Sequence, residues 1–259
     1  MFSLDPRGGH NRYKFNKDFF KKWTPEMAYV LGFIYADGNI MDSVISRTQY
    51  VSFDSVDREI IEKIKIALSS NHTIQIKPEK LVTHPNGTYK SKRGFRLRIG
   101  SREIFSDLLK LGLVPRKSLV TEFPEDIPVD CLGHFMRGYF DGDGCVHVMK
   151  RKGKYGQELF IGLAVIFTSG SKIFLEGLRH HFEKIGLKRG KIYFGSRAYR
   201  LKYPTPESMR WFQVFYGNHS SNLFLERKRD AFVKYFQRRK RKIDSEILAT
   251  LQIHGAVAK

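Results

Sequence analysis

Two stretches of this 259-residue chain end alike. "AYVLGFIYADGNI" (28–40) and "HFMRGYFDGDGCV" (134–146) each run apolar and helical, then stop on an aspartate beside a glycine. The segments downstream of them match as well. After the first come the strand-like "NIMDSVISRTQYVSFDS" and a helix in "VDREIIEKIKIALSS", striped by Ile60, Ile61, Ile64 and Leu68. Alternating strands come next in "HTIQIKP" and "RGFRLRIG", then a helix in "SREIFSDLLKLGL", with Ser101 as N-cap and Gly112 as its stop. After the second come strands "CVHVMK" and "LFIGLAVIF", the helix "SKIFLEGLRHHFEKIGL", strands "GKIYFGS" and "AYRLKY", and the helix "PESMRWFQVFYG". A repeat on this scale dictates architecture. The expectation is an α+β chain of two pseudo-symmetric αββαββα halves. The divisions fall at an N-terminal extension (1–24), a first half (25–122), a linker (123–129) in the proline-bearing acidic "TEFPEDIPVD", a second half (130–242) and a C-terminal tail (243–259). A last helix over about 221–241 ends in "RRKRK".

The helix endings carry the chemistry. Thr24 is a plausible N-cap, Pro25 suits the first helical position, and Glu26 favours the positive end of the dipole. Within the motif helices, Gly32 and Ala36 lie four apart, as do Gly138 and Gly142. Small residues at that spacing let two helix backbones approach closely. If the helices cross on those faces, Asp37 and Asp143 become neighbours. Two carboxylates about 5 Å apart repel by roughly 3 kcal/mol at an effective dielectric near 20, and the helix C-termini add negative partial charge. A cation relieves this, and an all-oxygen donor set selects a hard one such as Mg²⁺. A divalent ion between acidic helix ends suits phosphodiester hydrolysis, where it activates water and steadies the leaving oxygen. Two carboxylates also suit two cuts, one in each strand of a duplex.

The net charge of +20 points to a polyanionic partner, nucleic acid before membrane. No long cationic amphipathic helix is present, and no apolar run approaches the roughly 20 residues a bilayer needs. The start, "MFSLDPRGGHNRYKF", has no signal-peptide core, so the expectation is an intracellular, DNA-associated protein. Cys131 and Cys145 are too few for a disulfide framework or a cysteine zinc site. His180 and His181 are adjacent on a helix, a poor metal spacing, and His219 lacks the paired histidines of an HNH site. No P-loop or dinucleotide fingerprint appears.

"VLGFIYADG" (30–38) and "MRGYFDGDG" (136–144) resemble the paired motifs of LAGLIDADG homing endonucleases in their single-chain, two-motif form, and the resemblance covers nearly the whole chain. It implies motif helices packed at the interface of the halves and two antiparallel sheets lying in the DNA major groove. It also implies a monomer that cuts both strands of a long, near-asymmetric site and leaves 3′ overhangs, with Mg²⁺ as cofactor and Mn²⁺ able to substitute. By that resemblance Asp37 and Asp143 hold the metal, with Ala36 and Gly142 beside them. Lys117, in "VPRKSL", and Lys228, in "LERKRD", are the basic catalytic residues that the family places near the metal. They would stabilise the developing phosphorane charge or steer the attacking water.

Asp54 and Thr168 stand where many relatives carry a polar residue, often Gln, near the metal waters; the alternative is that each caps the helix that follows. Arg137 departs from the usually small or apolar second motif position; the alternatives are that it points away from the helix interface, or that it points inward and puts tight packing in doubt. Alternation assigns a DNA-reading face to Arg96 and Arg98, to Gln75 and Lys77, and to Arg200, Lys202, Lys191 and Tyr193. The run from Arg238 to Lys242 suits phosphate contacts. The alternative functions on the same fold are an intron RNA maturase and a non-cleaving DNA-binding protein. The short stretch after Lys242 and the two intact aspartates weigh against the non-cleaving alternative in this expectation.

Overall fold

The computed structural model describes residues 13–43, 48–84, 87–217, 221–239 and 243–253. His219 and the Lys240–Lys242 part of the basic run lie outside them. Helix α1 (Pro25–Asp37) starts as its sequence dictates: the Thr24 hydroxyl accepts from the Met27 amide, with Pro25 in the first turn. It is buried all round from Met27 to Tyr35, because its partner α4 (Val129–Asp143) covers one side and the first sheet another. The two helices touch backbone to backbone. A Cβ on Gly32 would collide with the Phe135 carbonyl oxygen and lie 3.0 Å from the Tyr139 amide nitrogen; one on Gly138 would meet the Tyr29 carbonyl in the same way.

Each half then builds one antiparallel sheet. In the first, β1 (Gly38–Ser43), β2 (Thr48–Ser55), β3 (Gln75–Lys77) and β6 (Gly94–Gly100) are arranged β1-β2-β6-β3. In the second, β7 (Gly144–Lys152), β8 (Glu158–Ser169), β9 (Lys191–Gly195) and β10 (Ala198–Tyr203) take the equivalent order β7-β8-β10-β9. Helices α2 (Arg58–Ala67) and α3 (Arg102–Lys110) cover one face of the first sheet, and α5 (Lys172–Lys184) and α6 (Thr205–Tyr216) one face of the second. Ser101 caps α3 by accepting from the Ile104 amide, and Gly112 lies just past its end at φ +85°. The inward residues of β2 and β6 (Val51, Phe53, Leu97, Ile99) are fully buried. Each such side chain contributes roughly 1.5–3 kcal/mol. The second half packs around an aromatic cluster in which Trp211 meets Phe167, Phe182 and Phe215.

Three features depart from the sequence reading. A two-stranded hairpin, β4 (Leu81–His84) with β5 (Gly87–Lys90), is inserted between β3 and β6 and has no counterpart among the described residues of the second half. Residues 13–24, expected to be an extension, bury Phe19 and Phe20 in the core, and the Asn16 amide bonds to the Leu68 carbonyl. Beyond α7 (Glu226–Arg238), residues assigned to the tail form α8 (Ser245–Ile253), which packs on α6 with Ile247 and Leu251 buried. Among the described residues no helix is long and apolar enough to cross a membrane.

Candidate active site and nucleic-acid interface

The close crossing of α1 and α4 brings their C-terminal ends together. Gly142 lies against Ala36 and Asp37, so near that a Cβ there would stand 3.5 Å from Asp37 Oδ2. Among the described residues neither Asp37 nor Asp143 accepts a hydrogen bond or sits within ion-pair distance of a cation. Burial raises the Asp37 carboxyl pKa, with Lys228 and Lys117 pulling it back. Burial, and then Asp37 itself, push Asp143 up to about 6. Two crowded carboxylates with no direct protein partner, only partly offset by Lys117 and Lys228, are an all-oxygen pair of the kind that suits a hard divalent cation.

Lys117 and Lys228 serve the helix ends directly. Lys117, in a single 3-10 turn (Lys117–Leu119) after α3, donates from Nζ to the carbonyls of Tyr35 (2.9 Å) and Ala36 (3.0 Å). Lys228, at the start of α7, donates to the carbonyls of Phe140, Asp141 (2.8 Å) and Gly144 (2.7 Å). Each therefore neutralises the negative pole of its own half's motif helix. Both are buried, which lowers their pKa; Lys228 falls to about 8. The Ala36 carbonyl, implied as a metal neighbour, is thus already hydrogen-bonded, whereas neither lysine bonds the Gly142 carbonyl. Lys228→Met should leave three carbonyls and the buried Asp141 uncompensated. The expected cost is about 3 kcal/mol in urea unfolding, against about 1 kcal/mol or less for a surface control such as Lys184→Met.

Two clefts flank the helix ends, and they are pseudo-symmetric. One, of about 430 Å³, combines Asp37, Asp54 and Ser55 with Asp141, Gly142 and Arg227 of the other half. Its counterpart, only about 50 Å³, combines Asp143 and Ser169 with Tyr35, Ala36 and Lys117. Each joins the aspartate of one motif to the preceding positions of the other. The second is narrower because Gly170 packs directly against the Ser118 carbonyl.

Asp141 escaped the sequence reading. Its Oδ2 accepts from the Tyr29 hydroxyl and from the Leu225 amide, both at 2.8 Å, while buried Oδ1 has no partner. It ties α1, α4 and the entry to α7 together. The signal was a second acid two positions before Asp143. Arg137 does point inward: its guanidinium lies 5.7 Å from the Tyr29 ring centre and donates to the Phe215 carbonyl (2.6 Å), to His134 Nδ1 (2.9 Å) and to the Ser221 carbonyl (3.2 Å). The crossing stays tight beside it.

Strand register sorts the nucleic-acid candidates. On the exposed face of the first sheet, Asp54, Arg96 and Gln75 form one cross-strand row, and Arg98 stacks over Tyr50 with 4.5 Å to the ring centre. On the second sheet Thr168, Arg200 and Tyr193 form the equivalent row, with Lys202 opposite Lys191. All eight residues assigned by alternation share these two faces. Lys77, however, is ion-paired with Asp54 and only half-exposed, while Ile76 on the opposite side is 59% exposed because the three-residue strand lies at the sheet edge. Neither Asp54 nor Thr168 caps a helix, correcting that alternative. Ser171 caps α5 by accepting from the Phe174 amide (3.3 Å), and Asp57, at the N-cap position of α2, makes no side-chain cap.

Motif helices crossing at their glycines, acids at their joined ends and a four-stranded sheet with basic side chains in each half define a two-motif helix-interface protein. Residues 130–212 match the family model of the LAGLIDADG-like domain. The uncharacterized protein MJ0398 of Methanocaldococcus jannaschii is 26% identical over 225 residues, which cover 83% of this chain and 72% of that protein. Among solved structures, the homing endonuclease I-WcaI bound to its DNA recognition sequence superposes with a TM-score of 0.57 at 16% identity, covering 89% of this chain and 95% of that one. The LAGLIDADG meganuclease I-AabMI bound to uncleaved DNA superposes at 0.51 and 13%, covering 91% and 99%. The match to the LAGLIDADG-like domain lies within the second half, and the first half repeats the same strand order.

Proposed function

We propose that the protein is a sequence-specific, divalent-metal-dependent double-strand DNA endonuclease of the homing type, acting as a monomer. The observation that carries this reading is the pair of unpartnered carboxylates at joined helix ends in a chain of net charge +20. The DNA-bound state of its structural neighbours supports duplex DNA as the partner. Asp37 and Asp143 would hold the metal, one serving each strand. Mg²⁺, with Mn²⁺ able to substitute, would when bound supply charge neutralisation at the scissile phosphate and activation of water. The chain's own residues do the rest. Lys117 and Lys228 fix the helix ends and offset the crowded carboxylates; the two sheets hold a long, near-asymmetric site so that the cuts fall across the minor groove and leave 3′ overhangs.

The test is digestion of a pooled library of candidate duplexes with Mg²⁺, with sequencing of the ends and EDTA as the blank. Discrete double-strand ends with 3′ overhangs support the reading. Tight binding of one duplex with no cut under several divalent ions would replace it with a non-cleaving DNA-binding protein. Preferential binding of folded intron RNA in salt-matched competition would replace it with a maturase.

A further inference from the structure

The two sheets differ at one row, and the difference bears on how DNA would be read. In the first sheet Arg96 Nε donates to both carboxylate oxygens of Asp54, at 2.9 and 3.1 Å, and Lys77 pairs with the same carboxylate. In the second sheet the residue opposite Arg200 is Thr168. Among the described residues, Arg200 donates to no side chain or carbonyl, and Arg96 makes no hydrogen bond from Nη1 or Nη2. Arg96 is therefore held by one edge of its guanidinium, and its two terminal nitrogens remain as a forked pair of donors. Arg200 has the same reach but no such hold.

A pinned fork has a definite complement. Two parallel donors match the O6 and N7 acceptors of guanine in the major groove. A phosphate also accepts a fork, but the Asp54 carboxylate cancels part of the positive charge of Arg96 and Lys77 that would draw an anion, whereas the neutral guanine edge needs only the two donors. The carboxylate also removes the rotamer freedom that an exposed arginine would otherwise lose on binding. We infer that Asp54 is a specificity-positioning residue: it locks Arg96 as the reader of one guanine in the half-site bound by the first sheet, a requirement the Thr168–Arg200 row does not impose. This inference rests on the duplex-DNA reading above.

The test is selection of bound sequences from a randomised duplex library in EDTA, so that binding is read without cutting. The proteins compared are the wild type, Asp54→Asn, Arg96→Ala and Thr168→Asp. The wild type should show a guanine preference on the order of ten- to a hundredfold at one position of the first half-site. Asp54→Asn and Arg96→Ala should both lose it and leave other positions unchanged. Asp54→Asn should also bind unselected DNA more tightly, with a steeper salt dependence, since a negative charge has left the face; a merely structural loss would weaken binding at every sequence. Thr168→Asp should install a new guanine preference in the other half-site. Retention of the guanine preference by Asp54→Asn overturns the inference while leaving the DNA reading intact. Failure of the wild type to select any sequence overturns both.

Discussion

Asp143→Asn should make cutting far slower and at the same time make the metal-free protein more stable at pH 7.5. Burial and the Asp37 charge hold the Asp143 carboxyl at about 6 in the folded chain, against roughly 3.9 unfolded. The folded state thus prefers the protonated acid. That preference is fully expressed below the unfolded pKa and is lost as pH rises through about 6, so at neutral pH the ionised carboxylate opposes folding. Because the residue is only half-buried, the discounted penalty is about 2 kcal/mol. Asparagine removes it, which for a chain of this size means a melting temperature higher by about 4–8 °C at pH 7.5, with the difference vanishing near pH 4. Mg²⁺ should raise the wild-type melting temperature and have far less effect on the variant. Cleavage should fall by on the order of a hundred- to a thousandfold. Equal melting at pH 7.5 and undiminished cutting would show that Asp143 merely ends its helix.

Gly138→Ala should be among the most destabilising substitutions in the molecule, although alanine is the better helix former. Propensity alone predicts a gain of about 1 kcal/mol. The added methyl, however, would lie inside the Tyr29 carbonyl oxygen and 3.0 Å from the Phe33 amide nitrogen. Those are backbone atoms in the middle of a buried helix, so no side-chain rotation can make room. The helices must part, loosening the buried Phe33, Phe135 and Tyr139 around the crossing, at a net cost of about 3 kcal/mol or more. Gly32→Ala should behave alike, since it meets Phe135 and Tyr139 in the mirror arrangement. Gly94→Ala is the control: its nearest neighbour would be Lys77 Cβ at 3.6 Å, an ordinary contact. Urea midpoints for the three variants decide the matter, and a Gly138→Ala protein as stable as Gly94→Ala would refute the backbone-contact account.

Most of the architecture was legible because its signals are local and repeated. Helical stripes, strand alternation and the two acid-glycine stops recur in the same order, and the four-residue spacing of Gly32 with Ala36 and Gly138 with Gly142 marks the crossing faces. The inserted hairpin was missed although "HPNGTY" carries an Asn-Gly turn signal; the second half has no such segment to compare. The direction of Arg137 was left open for another reason. A helix position specifies a direction, not what waits there, and the Phe215 and Ser221 carbonyls that accept its donors come from far along the chain.

The sequence by itself determined the doubling of the fold, the meeting of the motif helices and the pairing of Asp37 with Asp143, since each arises from periodicity and residue size along a short stretch. Only the tertiary structure decided where the buried polar groups find partners. Lys117 and Lys228 go to the carbonyls of helix ends more than eighty residues away, Asp141 binds Tyr29 and Leu225, and Asp54 holds Arg96 and Lys77. A hydrogen bond is short-ranged and directional, so its partner is settled by which distant segments packing brings within about 3 Å, and no pattern along one strand or helix records that.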